Sequence, residues 1–303
     1  MRSLIITEPL TLGPDQLQAT DVPDGDYPDW DTNTTYSLGN RVVRGITVYE
    51  SAQSNNTGND PATSSEAWWL NVSPINRWRA FELSHTKSTA KPGGFFYEFK
   101  PGYAIGAIHV TDMVDCATLR ITLTDPIAGV VWDTGQIAVG RVITAASWWQ
   151  WAFGRRVPIT QKHWYGVPTW PQAVLRLEVT GGNDCAVGMF MVGQTTEFGL
   201  GVNSGVRIGM TDFSRRDRDQ WGEITLKKGA YIDEISMQLT LRNSQLDAMN
   251  DFKNRNRATV LFWNLSDRWN ATRLLGMYKT WDTQINYEMY SAVSIEFEGM
   301  TLL

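Results

Sequence analysis

The sequence is poor in the residues from which most metal sites and catalytic centres are built. It has 2 cysteines and 3 histidines in 303 residues. Cys116 and Cys185 cannot make the multi-bridge framework of a small secreted domain. His85, His109 and His163 have no histidine partner two, three or four residues away, so the HExxH and paired-histidine metal patterns are absent. There is no CxxC and no phosphate loop of the GxxxxGK type. Gly201–Gly205 reads GVNSG, which does not put serine at the centre of a nucleophile elbow. No run of about 18 apolar residues exists, so no membrane-spanning helix is expected. Charged residues make up only 19% of the chain and the net charge is −5. That balance makes the chain a poor candidate for sequence-independent DNA binding, which needs clustered Lys and Arg, and no nucleic-acid partner is expected. The opening MRSLIITEPL has one arginine and a short apolar patch that Glu8 ends. It lacks the pattern of a signal peptide, which predicts that both thiols stay reduced.

What the chain does have is aromatic bulk and β rhythm. Hydrophobic residues reach 42%, enough to build cores and exclude disorder as the main state, and 14 tryptophans offer large, rigid contact surfaces. Glycine and turn residues separate short runs rich in Val, Ile, Thr, Phe and Trp, which predicts a mainly β chain. Composition suggests four parts. Residues 1–26 form an N-terminal segment that either stands apart or adds a strand to the later sandwich, making the next module an insertion. Residues 27–75 are a small β module with a hairpin at Asn40–Val43 and Thr47–Tyr49. Residues 76–206 carry strands at Phe95–Phe99, Ala104–Val110, Leu119–Thr124, Val130–Asp133, Val174–Thr180 and Ala186–Gln194, which suit a jelly-roll-like β-sandwich. FFYEF and LRLEV alternate, so each should bury one face, whereas GMFMVG is nearly all apolar and reads as a central strand. The tryptophan-rich segment from Ser147 to Pro171 reads as a long loop, packed or functional. Residues 207–303 carry strands at Val206–Phe213, Glu223–Lys228, Ile232–Arg242, Thr259–Asn264, Leu274–Trp281 and Ala292–Glu298. One helix is expected at about 244–256, capped by Asn243 or Ser244, with Leu246, Met249 and Phe252 or Lys253 on its inner stripe.

The carboxylates provide the remaining chemistry to weigh. Asp24, Asp26, Asp29 and Asp31 place oxygen ligands at alternating positions suited to Ca²⁺, but no glutamate follows at EF-hand spacing and Pro23 and Pro28 mark a linker. Asp112 and Asp115 flank a turn and have the residue types of a glycosidase pair. The alternating run Arg215-Arg216-Asp217-Arg218-Asp219 reads as a solvated turn or an interfacial salt-bridge network. No constellation supports catalysis, and no cofactor or metal is implied.

Trp30, Thr35-Tyr36, Gly39, Val42, Gly45, Val48-Tyr49, Pro61 and Trp69 give the first module its second identity. It resembles the small chitin/cellulose-binding module of the type 5/12 carbohydrate-binding family. That resemblance implies sugar contacts through Trp68, Trp30, Tyr49 and Trp69. The sequence departs from it at Ser51-Ala52-Gln53-Ser54-Asn55-Asn56, where the sugar-binding members place an exposed aromatic pair.

The NRWRAFE stretch at Asn76–Glu82, the GMFMVG strand and the Asp212-Phe213-Ser214-Arg215-Arg216 turn extend a resemblance over nearly the whole chain. The arrangement is similar to tail-tip or baseplate proteins of long-tailed, non-contractile bacteriophages. It implies a C-terminal tail-tube-like β-barrel with one helix and docking to tube, hub and fibre proteins through aromatics such as Trp221, Trp263 and Trp281. It also implies a homo-oligomeric role in the virion, after synthesis in the bacterial cytoplasm. Two alternatives remain: a glycan-binding receptor protein, and a surface glycoside hydrolase with an appended binding module.

Overall fold

The computed structural model describes residues 3–83, 87–142, 147–154, 157–203, 205–218, 221–285 and 289–300. His85, Ser204 and Asp219, named above, lie outside the described residues. The chain opens with β1 (Leu4–Leu10) and β2 (Leu17–Thr20). Next, β3 (Arg41–Arg44), β4 (Thr47–Ser51) and β5 (Trp69–Pro74) make a three-stranded antiparallel sheet of their own. Then come β6 (Thr89–Ala90), β7 (Gly94–Phe99), β8 (Ala107–Asp125), β9 (Gly129–Asp133) and β10 (Ile137–Ala138). A two-stranded arm of β11 (Arg141–Val142) and β12 (Val157–Pro158) brackets the short helix α1 (Trp148–Phe153). β13 (Lys162–Tyr165) and β14 (Val174–Phe198) complete the middle region. The last part holds β15 (Gly201–Val202), β16 (Arg207–Asp212), β17 (Arg215–Arg218), β18 (Ile224–Lys227) and β19 (Tyr231–Arg242). It ends with α2 (Leu246–Arg255), β20 (Leu261–Asn264), β21 (Arg273–Ile285) and β22 (Tyr290–Gly299). The fold is therefore mainly β, and every ladder between these strands is antiparallel.

Period-two patterning does what it predicts in the middle region. Phe95, Tyr97 and Phe99 of β7 point inward and stand opposite Val179, Leu177 and Leu175 of β14. Gly94 starts β7 at φ +116, and a Cβ there would lie 2.2 Å from the Val179 carbonyl oxygen. Both the backbone region and the close approach demand glycine. Gly94→Ala is expected to cost at least about 2 kcal/mol, read as a lower denaturant midpoint at unchanged slope.

β8 and β14 are long because each is a pair of expected strands running on through a bend. The ladder shifts register between Thr180 and Gly181 and again before Ala186. Opposite this shift, Asp112 and Asp115 adopt left-handed backbone, at φ 54 and 48. Asp115 accepts a hydrogen bond from the Asp184 N–H at 3.2 Å, and Gly188 leaves room for the Asp112 side chain. These aspartates brace a bulged bend, and the glycosidase reading gains no support from where they sit. Both halves of β8 and of β14 contribute to one core: Ile108, Val110, Leu119 and Ile121 from the first, Leu177, Val179, Phe190 and Val192 from the second. The sheet curls over that core.

GMFMVG is apolar throughout because β14 is buried on both faces there. Phe190 and Val192 face the curled core, while Met189 and Met191 pack on Phe262 and Leu275 of the C-terminal part.

β1 joins these two parts. It pairs with β14 along one edge and with β20 along the other. β2 adds to β7. The N-terminal segment thus belongs to the large sheet, and the three-stranded module is inserted after it. Arg77 clamps the returning linker by donating twice to the Val22 carbonyl, at 3.0 and 2.8 Å.

The C-terminal strands continue the sheet in the order β1, β20, β21, β22, β19, with β15 and β16 on the far edge of β19. The expected barrel is not closed. β1 occupies the edge of β20 that closure would use, so the sheet stays open. α2 lies against it through Met249 and Phe252, with Phe252 edge-on to Phe198 at 5.4 Å. The expected cap differs. A 3-10 turn at Asn243–Gln245 precedes α2, and the Asn243 side chain accepts from Ser291 Oγ at 2.6 Å instead of capping. Among the described residues, no helix is long and apolar enough to cross a membrane.

Candidate interaction surfaces

In the inserted module, tertiary packing sorts the four sugar-contact candidates. Trp69 is 2% exposed, lies edge-on to Tyr36 at 5.2 Å and donates its indole N–H to the Asn59 carbonyl at 2.8 Å. A ring with no open face cannot stack on a sugar, so Trp69 is a core residue. Trp30, Tyr49 and Trp68 are half-buried around the same cluster. The Arg44 guanidinium lies over the Trp30 ring, 5.3 Å from its centre, and pairs bidentately with Asp60 at 3.1 and 2.8 Å. That pairing holds the Asp60 carboxyl below its ordinary range. Where a stacking pair would stand, Asn56 is buried and donates to Ser51 Oγ and to the Trp68 carbonyl, both at 3.1 Å. The loop therefore spends its polar groups on its own closure.

Three of the four linker aspartates make separate contacts. Asp24 pairs with Arg77 at 3.0 Å, Asp26 pairs with Arg79 and accepts from the Asn76 N–H at 2.8 Å, and Asp31 accepts from the Asn33 N–H at 3.0 Å. They anchor the linker rather than converge on an ion. Among the described residues, no three His, Cys, Asp or Glu side chains gather as a metal site.

Two pairings that sequence spacing hid appear at the bend and the seam. Cys116 and Cys185 bring their Sγ atoms to 3.7 Å, both buried and unbridged. Its contact with Cys185, together with burial, pushes the Cys116 thiol pKa up. His163 stands opposite His109 in the β13–β8 ladder, with Nδ1 atoms 3.1 Å apart. His109 is fully buried, stacked on Phe262 at 4.0 Å, and its Nε2 lies 3.0 Å from Thr7 Oγ1. His163 Nε2 lies 3.1 Å from Gln161 Oε1. One arrangement of protons satisfies all three contacts. Thr7 donates to His109 Nε2, His109 Nδ1–H donates to His163 Nδ1, and His163 Nε2–H donates to Gln161. Both rings are then neutral. Burial, helped by the cations Arg273 and Lys162, lowers the His163 pKa to about 3, and burial beside His163 pushes His109 well down too.

The C-terminal tryptophans divide sharply. Trp263 is fully buried, donates to the Gly276 carbonyl at 2.9 Å and packs on Phe297 at 4.3 Å. It is the centre of the C-terminal core, which corrects its reading as an interface residue. Trp281 is half-buried, edge-on to Tyr278 at 5.2 Å. Trp221 is 85% exposed. It belongs to a projecting ribbon. β17 and β18 pair only with each other, and every described residue from Arg207 to Lys228 is exposed. Phe213, Trp221, Ile224 and Leu226 give this ribbon a hydrophobic surface. The alternating charges of Arg215–Arg218 form a strand instead of a turn, and Asp217 pairs across it with Lys227 at 3.2 Å.

Several clefts adjoin the C-terminal sheet, two of them at the seam and beside Trp269. One of 310 Å³ lies at the seam beside Thr111, Phe262 and Arg273, whose guanidinium donates to Asn270 Oδ1 at 2.7 Å and to the Asp267 carbonyl at 3.1 Å. The other, of 790 Å³, is a wide trough between Val202, Val206 and Trp269. In the first, Thr111 Oγ1 donates to the Asp112 carboxylate at 3.1 Å.

No protein-family model, curated protein or solved structure matches this chain.

Proposed function

We propose that the chain is a structural component of a bacteriophage tail tip or baseplate, which works by being gripped by neighbouring chains and not by catalysis. The assignment to a phage tail rests on the resemblance of its module order and short stretches to such proteins. The observation that carries the assembly reading is the β17–β18 ribbon. An isolated two-stranded hairpin is marginal in water, and this one shows apolar side chains with no core of its own. Such a surface is consistent with burial in an assembled state, against tube, hub or further copies of the chain. The exposed edge strand β16 beside it offers unpaired backbone groups for sheet extension. The inserted module then serves as an outward spacer, and its tightly closed Ser51–Asn56 loop supports that role over glycan recognition.

The test is complementation of a gene deletion in the parent phage with Trp221→Ser/Leu226→Ser. Because both side chains are exposed, the purified variant should unfold within about 0.5 kcal/mol of the parent. Particles are expected to lose the chain and their infectivity by at least tenfold. Intact, infectious particles that lack this chain altogether would overturn the assignment, as would wild-type incorporation of the variant.

A further inference from the structure

A second projecting element has a different chemistry and does not depend on the assembly reading. The β11–β12 arm pairs only with itself and carries α1, whose sequence is WWQWAF. Trp148, Trp149, Trp151 and Phe153 are 71%, 64%, 62% and 72% exposed. None of the four joins a buried core. They pack on one another instead, with Trp148 stacked on Trp149 at 5.5 Å and Trp149 edge-on to Phe153 at 4.4 Å. A soluble helix keeps its apolar residues on one stripe, whereas these occupy successive positions around a six-residue helix. Ser147 holds the tip in shape, its Oγ accepting from the Gln150 N–H at 3.3 Å.

The charge around this arm is as unusual as its apolarity. From Thr134 to Leu177 the sequence contains no Asp or Glu, but it contains Arg141, Arg155, Arg156, Lys162 and Arg176. That segment carries +5, so the remaining residues together carry −10 against a chain total of −5. Arg176 is paired with Glu98 and Glu178, but Arg141, Arg155 and Arg156 flank the aromatic tip in a stretch of sequence that has no carboxylate side chain.

We propose that α1 is a membrane-docking tip that seats Trp148, Trp149, Trp151 and Phe153 at the headgroup boundary of an anionic phospholipid bilayer. Tryptophan favours that boundary because its ring is apolar and its N–H stays hydrated. Short Trp- and Phe-bearing elements lie in the interface plane without spanning, and flanking cations add attraction to anionic lipid. A sugar ligand fits less well, because Ser147 and Gln150 are the only polar side chains between Ser147 and Gly154. Sugar recognition needs several polar groups around the stacking ring.

The test uses the full chain and sedimentation with vesicles of phosphatidylcholine and phosphatidylglycerol at 3:1, against phosphatidylcholine alone, in about 0.1 M salt. The wild type is expected to bind the anionic vesicles at least roughly tenfold more tightly, and brominated lipid should quench part of its tryptophan fluorescence. Trp148→Ser/Trp149→Ser/Trp151→Ser should bind roughly a hundredfold more weakly, with the same thermal midpoint, because the rings touch no core. The proposal fails if the wild type ignores both vesicle types, binds them equally, or is not quenched. It also fails if the variant binds like the parent, or if the substitutions alter only the oligomeric state, which would make the tip a contact between copies of the chain. Quenching of the wild type decides the matter even if the variant folds poorly.

Discussion

Lowering the pH from 7 to 5 is expected to remove about 3–4 kcal/mol of stability through the His109–His163 pair. In the folded chain both pKa values are depressed, so both rings stay neutral over that range. In the unfolded chain each titrates near 6.5. The unfolded state therefore gains protons that the folded state cannot accept. Stability is full above pH 6.5 and falls by about 1.4 kcal/mol per histidine per pH unit below it, levelling off for His163 only near pH 3. Geometry gives the same sign. Protons on both rings would set N–H against N–H across the 3.1 Å contact, and the first charge is already opposed by burial, with Arg273 and Lys162 adding repulsion at His163. Denaturant midpoints at pH 7, 6 and 5 should fall steadily. The double variant His109→Leu/His163→Leu should show little of this slope, because ordinary carboxylates titrate lower. Equal midpoints at pH 7 and 5 in the wild type, or an equal slope in the variant, would refute this role. Because the pair sits where β8, β13, β1 and Phe262 meet, the loss should appear first as loosening between the middle and C-terminal parts. Hydrogen exchange of β1 and β20 at pH 5 reads that directly.

Trp263→Ala is expected to cost about 3–5 kcal/mol, which lowers the thermal midpoint by roughly 10 °C. The substitution empties the centre of the core between Phe297 and Trp281 and leaves the Gly276 carbonyl without its indole donor. Trp221→Ala should change stability by less than about 0.5 kcal/mol, because that ring is exposed. The two variants separate tryptophans that look alike in the sequence. A mild Trp263→Ala, or a Trp221→Ala as damaging as it, would reverse the assignment of core and surface. Under the proposed tail role, the order should invert in a particle-incorporation assay, with Trp221 mattering for incorporation and Trp263 for yield.

The contrast shows where sequence reasoning reaches. Alternation in FFYEF and LRLEV specified strands and inward faces, because a pleated backbone has a fixed period of two and water enforces the choice of face. The Leu246–Phe252 stripe specified a helix for the same kind of reason, and Met249 and Phe252 are its buried residues. Its cap was misread because Asn243 met a tertiary competitor, Ser291, which no local pattern announces. The interior or exterior fate of a tryptophan was equally hidden. Trp68-Trp69, Trp148-Trp149, Trp221 and Trp263 share a chemistry, and what differs is whether another element arrives to cover the ring.

Sequence alone determined the mainly β character, the strand positions, the one clear amphipathic helix and the deficit of catalytic and metal-binding patterns. All of these follow from composition and from periodicities a few residues long. Tertiary structure alone decided that β1 joins two parts into one open sheet and that paired strands fuse into the bent β8 and β14. It alone brought His109 to His163 and Cys116 to Cys185. Those outcomes depend on pairings between residues 54 to more than 250 positions apart, which edge hydrogen bonding and shared burial select only once the chain has closed on itself.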